Sequence, residues 1–414
     1  MAAELQVRKT ALALPTRRRS LAGLLAAGAS LLSGCSSTSS FFSDSHFFSS
    51  SPPAATTPPP APAATIGTGQ VKVGLILPLS AGANAGLAGQ AMRNAADMAL
   101  AEFNQPNIQL LVEDDGGNAD TARAAAQQAL DQGAQIILGP LFAQSVSVVG
   151  QMTRPRNIPV IAFSTDANVA APGVYLLSFL PESDVERIVQ YASTTGKRSF
   201  AALVPDNPYG AVVEAAFRQD VARHGGQIVA LEHYPHDSAG MAAPLRAVAQ
   251  AAVRADALFL PDGGDVVPGI VQTLIGNGLN IKRIQLLGTG LWDDPRIYAA
   301  PALDGGWYAA PDAAGYRSFS ERYRARYHQD PVRTATLAYD AVALVAALVK
   351  TQPDPAIRFS PQVLTNPSGF TGIDGLFRFL PNGTNQRGLA VLRVSRSGPQ
   401  TISPPPRSFG ASGI

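Results

Sequence analysis

The sequence predicts an α/β fold built as two doubly wound parallel-sheet lobes. Short apolar runs alternate with helix-length amphipathic stretches, an order that demands parallel strands and right-handed crossovers. That order completes once and then restarts. The chain has 414 residues, too many for one ordinary core and suited to two. A composition of 46% hydrophobic and 15% charged residues fits such a protein, and a net charge of +2 argues against a nucleic-acid surface.

In the first pass, residues 71–77 read as a strand and 89–104 as a helix turning Met92, Ala95, Ala96, Ala99 and Phe103 inward. Strands at 108–112, 135–138 and 159–163 follow, separated by helices at 120–132 and 145–153. The second pass places helices at 183–195, 209–224, 241–254 and 266–277 around strands at 200–204, 227–231, 257–260 and 284–287. Two further helices cover 316–327 and 334–350, and 375–379 with 389–394 read as a hairpin turning at Pro381-Asn382-Gly383.

The amino terminus carries a separate signal. Arg17, Arg18 and Arg19 precede an apolar stretch from Leu21 to Leu32, and the run Leu31-Leu32-Ser33-Gly34-Cys35 holds the only cysteine. A basic region, a short apolar core and small residues before a cut describe an export signal, too short to span a membrane. The run resembles a bacterial lipobox. The resemblance implies cleavage of residues 1–34, lipidation of Cys35 and export beyond the cytoplasm. An anchor in the outer membrane then follows from Ser36, and with one cysteine no internal disulfide is available. Residues 35–69 are rich in Ser, Pro, Thr and Ala and read as an extended linker. A second proline cluster, Pro404-Pro405-Pro406, marks 401–414 as a disordered tail.

Open parallel sheets bind ligands just past the carboxyl ends of their strands. Those positions hold Pro78-Leu79-Ser80, Glu113-Asp114-Asp115, Gly139-Pro140-Leu141 and Ser164-Thr165-Asp166 in the first lobe. The second lobe offers Asp206-Asn207-Pro208-Tyr209-Gly210, His233-Tyr234, Asp262-Gly263-Gly264 and Gly288-Thr289-Gly290. Hydroxyls, small residues and a tyrosine at strand tips suit a ligand with polar groups, although βα turns favour many of these residues on their own account.

The run from Val71 to Ser80, the pair Asp114-Asp115, the element Ile136-Ile137-Leu138-Gly139-Pro140 and the strand 158–162 ending in Ser164-Thr165 resemble type I periplasmic binding proteins of the leucine/isoleucine/valine-binding branch. The segment Pro205-Asp206-Asn207-Pro208-Tyr209-Gly210 resembles that family's aromatic-bearing loop. The resemblance spans roughly 70–400 and implies three hinge crossings, near 179–183, 307–312 and 387–394. The first lobe is then 70–180 with 308–387, and the second 181–307 with 388–400. It further implies a small amino-acid-like ligand held by Ser164, Thr165 and Tyr209, with Ser80 and Gln144 as secondary contacts. The family's second-lobe carboxylate is missing at Gly288-Thr289-Gly290, which leaves Asp293 or Asp294 to reach an ammonium group with a shift, Asp293 being the residue chosen. Thr165→Ala and Tyr209→Ala are expected to weaken binding without altering the melting temperature.

Narrower phrases, Gly89-Gln90-Ala91-Met92-Arg93 and the run from Gly133 to Leu141, resemble lipoproteins that activate penicillin-binding proteins. The partner implied is therefore an ABC permease or a penicillin-binding protein, with the membrane reached through the lipid anchor. No catalytic role, cofactor or metal is expected. His233 and His236 lack a third ligand nearby, no Gly-x-Ser-x-Gly elbow or P-loop lysine occurs, and both glycine half-fingerprints lack their third glycine. The acids Glu113-Asp114-Asp115 read as a solvated loop.

Overall fold

The computed structural model describes residues 64–103, 106–236 and 238–409. The export signal, Cys35 and most of the linker lie outside the described residues.

Strand β1 (Ala64–Ile66) opens the chain, followed by β2 (Val71–Leu77), α1 (Ala83–Glu102), β3 (Ile108–Asp114), α2 (Ala119–Asp131), β4 (Ile136–Leu138), α3 (Ala143–Thr153), β5 (Val160–Ala162) and β6 (Val174–Leu176). They form one sheet in the order β1-β3-β2-β4-β5-β6. All its pairings are parallel except β1 with β3. The strands are Val/Ile/Leu-rich because helices cover both faces. Helix α2 starts where Asn118 Oδ1 accepts the Asp120 and Thr121 amides, replacing partners that a first helical turn lacks.

The second lobe runs through α4 (Pro181–Thr194), β7 (Ser199–Pro205), α5 (Pro208–Arg223), β8 (Gln227–Tyr234), α6 (Ser238–Ala251), β9 (Ala257–Phe259), α7 (Val267–Gly276), β10 (Gln285–Gly288), α8 (Pro295–Ala299) and β11 (Trp307–Ala310). The chain then returns through α9 (Ala313–Tyr327), α10 (Ala335–Thr351), α11 (Pro361–Leu364), β12 (Phe370–Gly372), β13 (Gly375–Phe379) and β14 (Asn385–Arg387). It ends in the second lobe with β15 (Ala390–Arg393) and β16 (Gln400–Ser403). That lobe's sheet reads β16-β15-β11-β10-β9-β7-β8, parallel except for the two last strands. The fold is the expected one: mixed α/β, with a parallel sheet in each lobe.

Several expectations are corrected. The run 375–379 pairs with β12 and β14, whereas 389–394 joins β11 and β16. The turn at 381–383 is so tight (Gly383 N to Leu380 O 2.9 Å) that the next three residues must supply the return strand. Residues 307–310 belong to the second sheet rather than to a crossing or to the first lobe, which moves the second crossing to Pro311-Asp312. The tail expected to be disordered from 401 still pairs with Val391–Arg393 as far as Ser403. Phe103 lies beyond the end of α1 and is 36% exposed, while Met92, Ala95, Ala96 and Ala99 are buried as expected.

The first lobe's core gathers Val73, Leu75, Met92, Leu110 and Leu138 with Leu337, Val342 and Val345 of α10 and Phe377 and Phe379 of β13. In the second lobe Trp292 is fully buried and donates Nε1–H to Leu260 O at 3.1 Å. Phe217 stacks on Phe259 at 4.8 Å. A fully buried side chain of this size contributes about 1.5–3 kcal/mol over an exposed one. The two lobes therefore hold their strand tips rigidly.

Candidate functional site

The loop after β5 in the first lobe faces helices α4 and α5 of the second. Asp166, Ala167 and Asn168 of the first lobe share a cavity of about 330 Å³ with Glu182 and Glu186 of α4 and Gln219, Asp220 and Arg223 of α5. A groove between the lobes is thus present.

On the first-lobe side, Ser80 is exposed and its amide donates to Asp114 Oδ1 at 3.1 Å. Thr165 is exposed, whereas Ser164 is 4% exposed and its Oγ accepts the Asp166 amide at 3.1 Å. Ser164 therefore shapes the loop, and Thr165 is the hydroxyl open to a ligand. Gln144 is exposed and donates to Gly117 O at 3.2 Å. The acids expected to be a solvated loop are largely buried. Glu113 is 5% and Asp115 is 0% exposed, and Asp115 Oδ1 accepts the Gly117 amide at 3.0 Å. Backbone amides of a tight turn need acceptors, and the carboxylates supply them.

On the second-lobe side, Asn207 Oδ1 caps α5 through the Gly210 amide at 2.8 Å, and Pro208 starts the helix. This places Tyr209 at the strand tip. Its ring packs partly buried against the apolar cluster around β7, α4 and α5, and its hydroxyl lies 2.9 Å from Thr289 Oγ1. Burial drives its phenol pKa upward, with the carboxylates of Asp184 and Asp262 adding to the shift. Because the ring is part of the packing, Tyr209→Ala would cost stability as well as binding. Tyr209→Phe, which removes only the hydroxyl, is the informative change.

Asp293 is not placed to meet a ligand cation. Its Oδ1 is taken by the hydroxyl of Tyr298 and lies 3.4 Å from that of Tyr308, while the two phenols are 2.8 Å apart. Two phenol hydroxyls therefore already occupy its Oδ1.

A carboxylate does reach the loop after β10: Asp184, in the first turn of α4. Its Oδ2 accepts the Gly290 amide at 2.9 Å and lies 3.0 Å from where a side chain at Gly290 would begin. The acid thus fills the space that glycine leaves. Burial raises Asp184 to about 7, against lowering by the Gly290 amide and Arg387. Sequence reading passed over it because an acidic residue in a helix's first turn is an ordinary dipole partner. His233 and His236 face different acids, Glu214 at 2.5 Å and Asp262 at 2.8 Å.

Burial likewise raises Glu113 and Asp340 to about 7 and Asp220 to about 6. Each native carboxyl holds its proton more tightly than the unfolded one. Their contribution to stability is complete below about pH 4 and is lost as pH climbs toward 7. The acids held low, Glu214, Asp256 and Asp294, act oppositely and only near pH 4 and below. A thermal melt at pH 5 is therefore expected to lie above one at pH 8, with Asp340→Asn narrowing the gap. Equal melting temperatures across that range would refute the assignment.

Comparison with known proteins fits this geometry. A putative branched-chain amino acid ABC transporter protein from Rhodospirillum rubrum superposes with a TM-score of 0.71 at 20% identity, over 80% of this chain and 99% of its own. A solute-binding protein from R. palustris in complex with benzoate gives a TM-score of 0.56 at 19% identity, over 84% and 99%. Curated relatives match over shorter stretches. An uncharacterized Rickettsia prowazekii protein is 22% identical over 120 residues, 29% of this chain and 32% of its own length. The penicillin-binding protein activator LpoA of Pantoea ananatis is 29% identical over 109 residues, 26% of this chain and 16% of that protein. Neither match extends to two thirds of the relative. The periplasmic binding protein family matches residues 70–399. With two parallel-sheet lobes, a groove between them, the type I fold shared with these solved structures and a match across nearly the whole described chain, the protein belongs to the periplasmic binding protein family.

Proposed function

We propose that the protein is a lipid-anchored periplasmic receptor that captures a small amino-acid-like solute between its lobes and delivers it to an ABC-type permease. The observation that carries this reading is Asp184. A buried ammonium needs a carboxylate partner, and Asp184 supplies one beside Gly290, near Tyr209 and Thr289. Thr165 and Ser80 offer hydroxyls from the opposite lobe for the ligand's acidic end. Hinge closure around the solute would remove both ends from water. The anchor is Cys35, with Ser36 directing the chain to the outer membrane.

The test is native mass spectrometry and thermal shift against the twenty amino acids. One or a few should bind and raise the melting temperature, and Thr165→Ala and Tyr209→Phe should each weaken binding about twofold to tenfold, as expected for one hydrogen bond. Silence from every amino acid would remove this reading.

The match to LpoA favours a second reading, in which an outer-membrane anchor and the linker present the lobes to a penicillin-binding protein and the cleft is vestigial or regulatory. Capture of a purified penicillin-binding protein, with faster glycan polymerisation and no amino acid bound, would select it.

A further inference from the structure

The hinge holds a buried guanidinium whose two terminal nitrogens have no hydrogen-bond partner. Arg387, the last residue of β14, is 6% exposed, and neither Nη1 nor Nη2 has a hydrogen-bond partner. Only its Nε is engaged, donating to Ser178 O at 2.8 Å. Asn385 donates to the same carbonyl at 2.8 Å, so one peptide oxygen staples the first crossing to the approach of the third. The Phe179 ring lies between two guanidinium groups, Arg333 at 4.6 Å and Arg387 at 4.7 Å. Arg333 also stacks on Tyr316 at 4.5 Å, just beyond the second crossing. All three crossings therefore converge on this cluster.

The two arginines differ in one respect. Arg333 is satisfied by Asp374, which also accepts the Thr336 hydroxyl at 2.6 Å. Arg387 is not, and an unpaired guanidinium in such a place is costly. Three carboxylates surround it electrostatically: Asp374, Asp340 and Asp184. Asp340 accepts the Ile373 amide through Oδ1 at 2.8 Å and leaves Oδ2 without a partner. Asp340 and Asp374 ride on α10 and the β12–β13 turn, the same lobe as Arg387, so hinge rotation leaves their separation from it unchanged. Asp184 rides on α4 of the other lobe. It alone among the three can approach when the lobes move.

We infer that Arg387 and Asp184 form an ion pair across the hinge in the closed state, making Arg387 the positioning residue that holds the lobes together. Neighbouring charge is consistent with this role: Glu182, beside Asp184, leaves Oε2 without a partner and adds to the negative potential that Arg387 would neutralise. Asp184 is also the carboxylate proposed for the solute's ammonium, so the experiment is run without ligand, where only the contact with Arg387 is read.

The experiment uses the full chain with Cys35→Ser and spin labels at Gln127→Cys on α2 and Gln272→Cys on α7, both exposed. Double electron–electron resonance then reads the interlobe distance without added ligand. The labelled parent should give a longer and a shorter population. Arg387→Met, which keeps the packing on Phe179 and Phe377, and Asp184→Asn should each remove at least half of the shorter one. Their combination should do no more than either alone, and Arg387→Lys should restore part of it. Circular dichroism controls for folding, and removal of a buried unpaired charge is expected to leave or raise the melting temperature. A single population indifferent to both substitutions, or effects that add independently, would overturn the inference.

Discussion

Replacing Gly210 by alanine is expected to unseat the Tyr209 loop and lower the melting temperature sharply. The added methyl would lie 1.8 Å from Pro205 O and 2.9 Å from Pro205 C, both main-chain atoms of the strand tip. Neither can rotate away as a side chain could. The first turn of α5 must move, breaking the Asn207 cap and the contact between Tyr209 and Thr289. Overpacking of this kind costs about 3 kcal/mol, or roughly 6–12 °C at about 2–4 °C for each kcal/mol. Gly269 in α7 is the control, because its methyl would meet nothing within 4 Å. Alanine there should raise stability by about 0.5–1 kcal/mol through the lost chain entropy. If calorimetry finds both variants within a degree of the parent, the turn geometry argued for Tyr209 is wrong.

Changing Asp184 to asparagine is expected to lower affinity for the amino-acid solute by about tenfold to a hundredfold, the worth of one hydrogen bond to a charged group. The amide oxygen can still accept from Gly290 N, so the loop should stay in place and the melting temperature should not fall. The native carboxyl is raised to about 7. An incoming ammonium must therefore displace a proton at acid pH. Affinity measured by titration calorimetry should weaken from pH 8 to pH 5.5 in the parent and stay level in Asp184→Asn. A variant that binds as tightly as the parent would strip Asp184 of its role and leave the groove without a cation subsite.

The βα order was legible because each parallel strand is buried on both faces and reads as an unbroken apolar run. Strands such as Val71–Leu77 and Ser199–Pro205 announce themselves in this way. The short edge strands did not. Asn385–Arg387 and Gln400–Ser403 are polar, and their strand state comes from the neighbour each one pairs with. The same reason explains the misread hairpin: 375–379 and 389–394 both look like strands, and only the sheets decide which partners they take. At the site, Thr165 and Tyr209 could be placed from their positions after strands. Ser164 and Asp293 could not be judged, since whether a polar atom is free depends on donors distant in sequence or folded back locally.

The order of residues by itself determined two α/β lobes and the loops at the ends of their strands. These follow from local periodicity and turn chemistry, which act over a few residues. Tertiary structure alone decided that a carboxylate from α4 meets the loop after β10, and that the terminal nitrogens of Arg387 lie buried without a hydrogen-bond partner beside the crossings. Both depend on groups more than a hundred positions apart in the chain meeting in a dry interior, where a hydrogen bond or a charge gains its force.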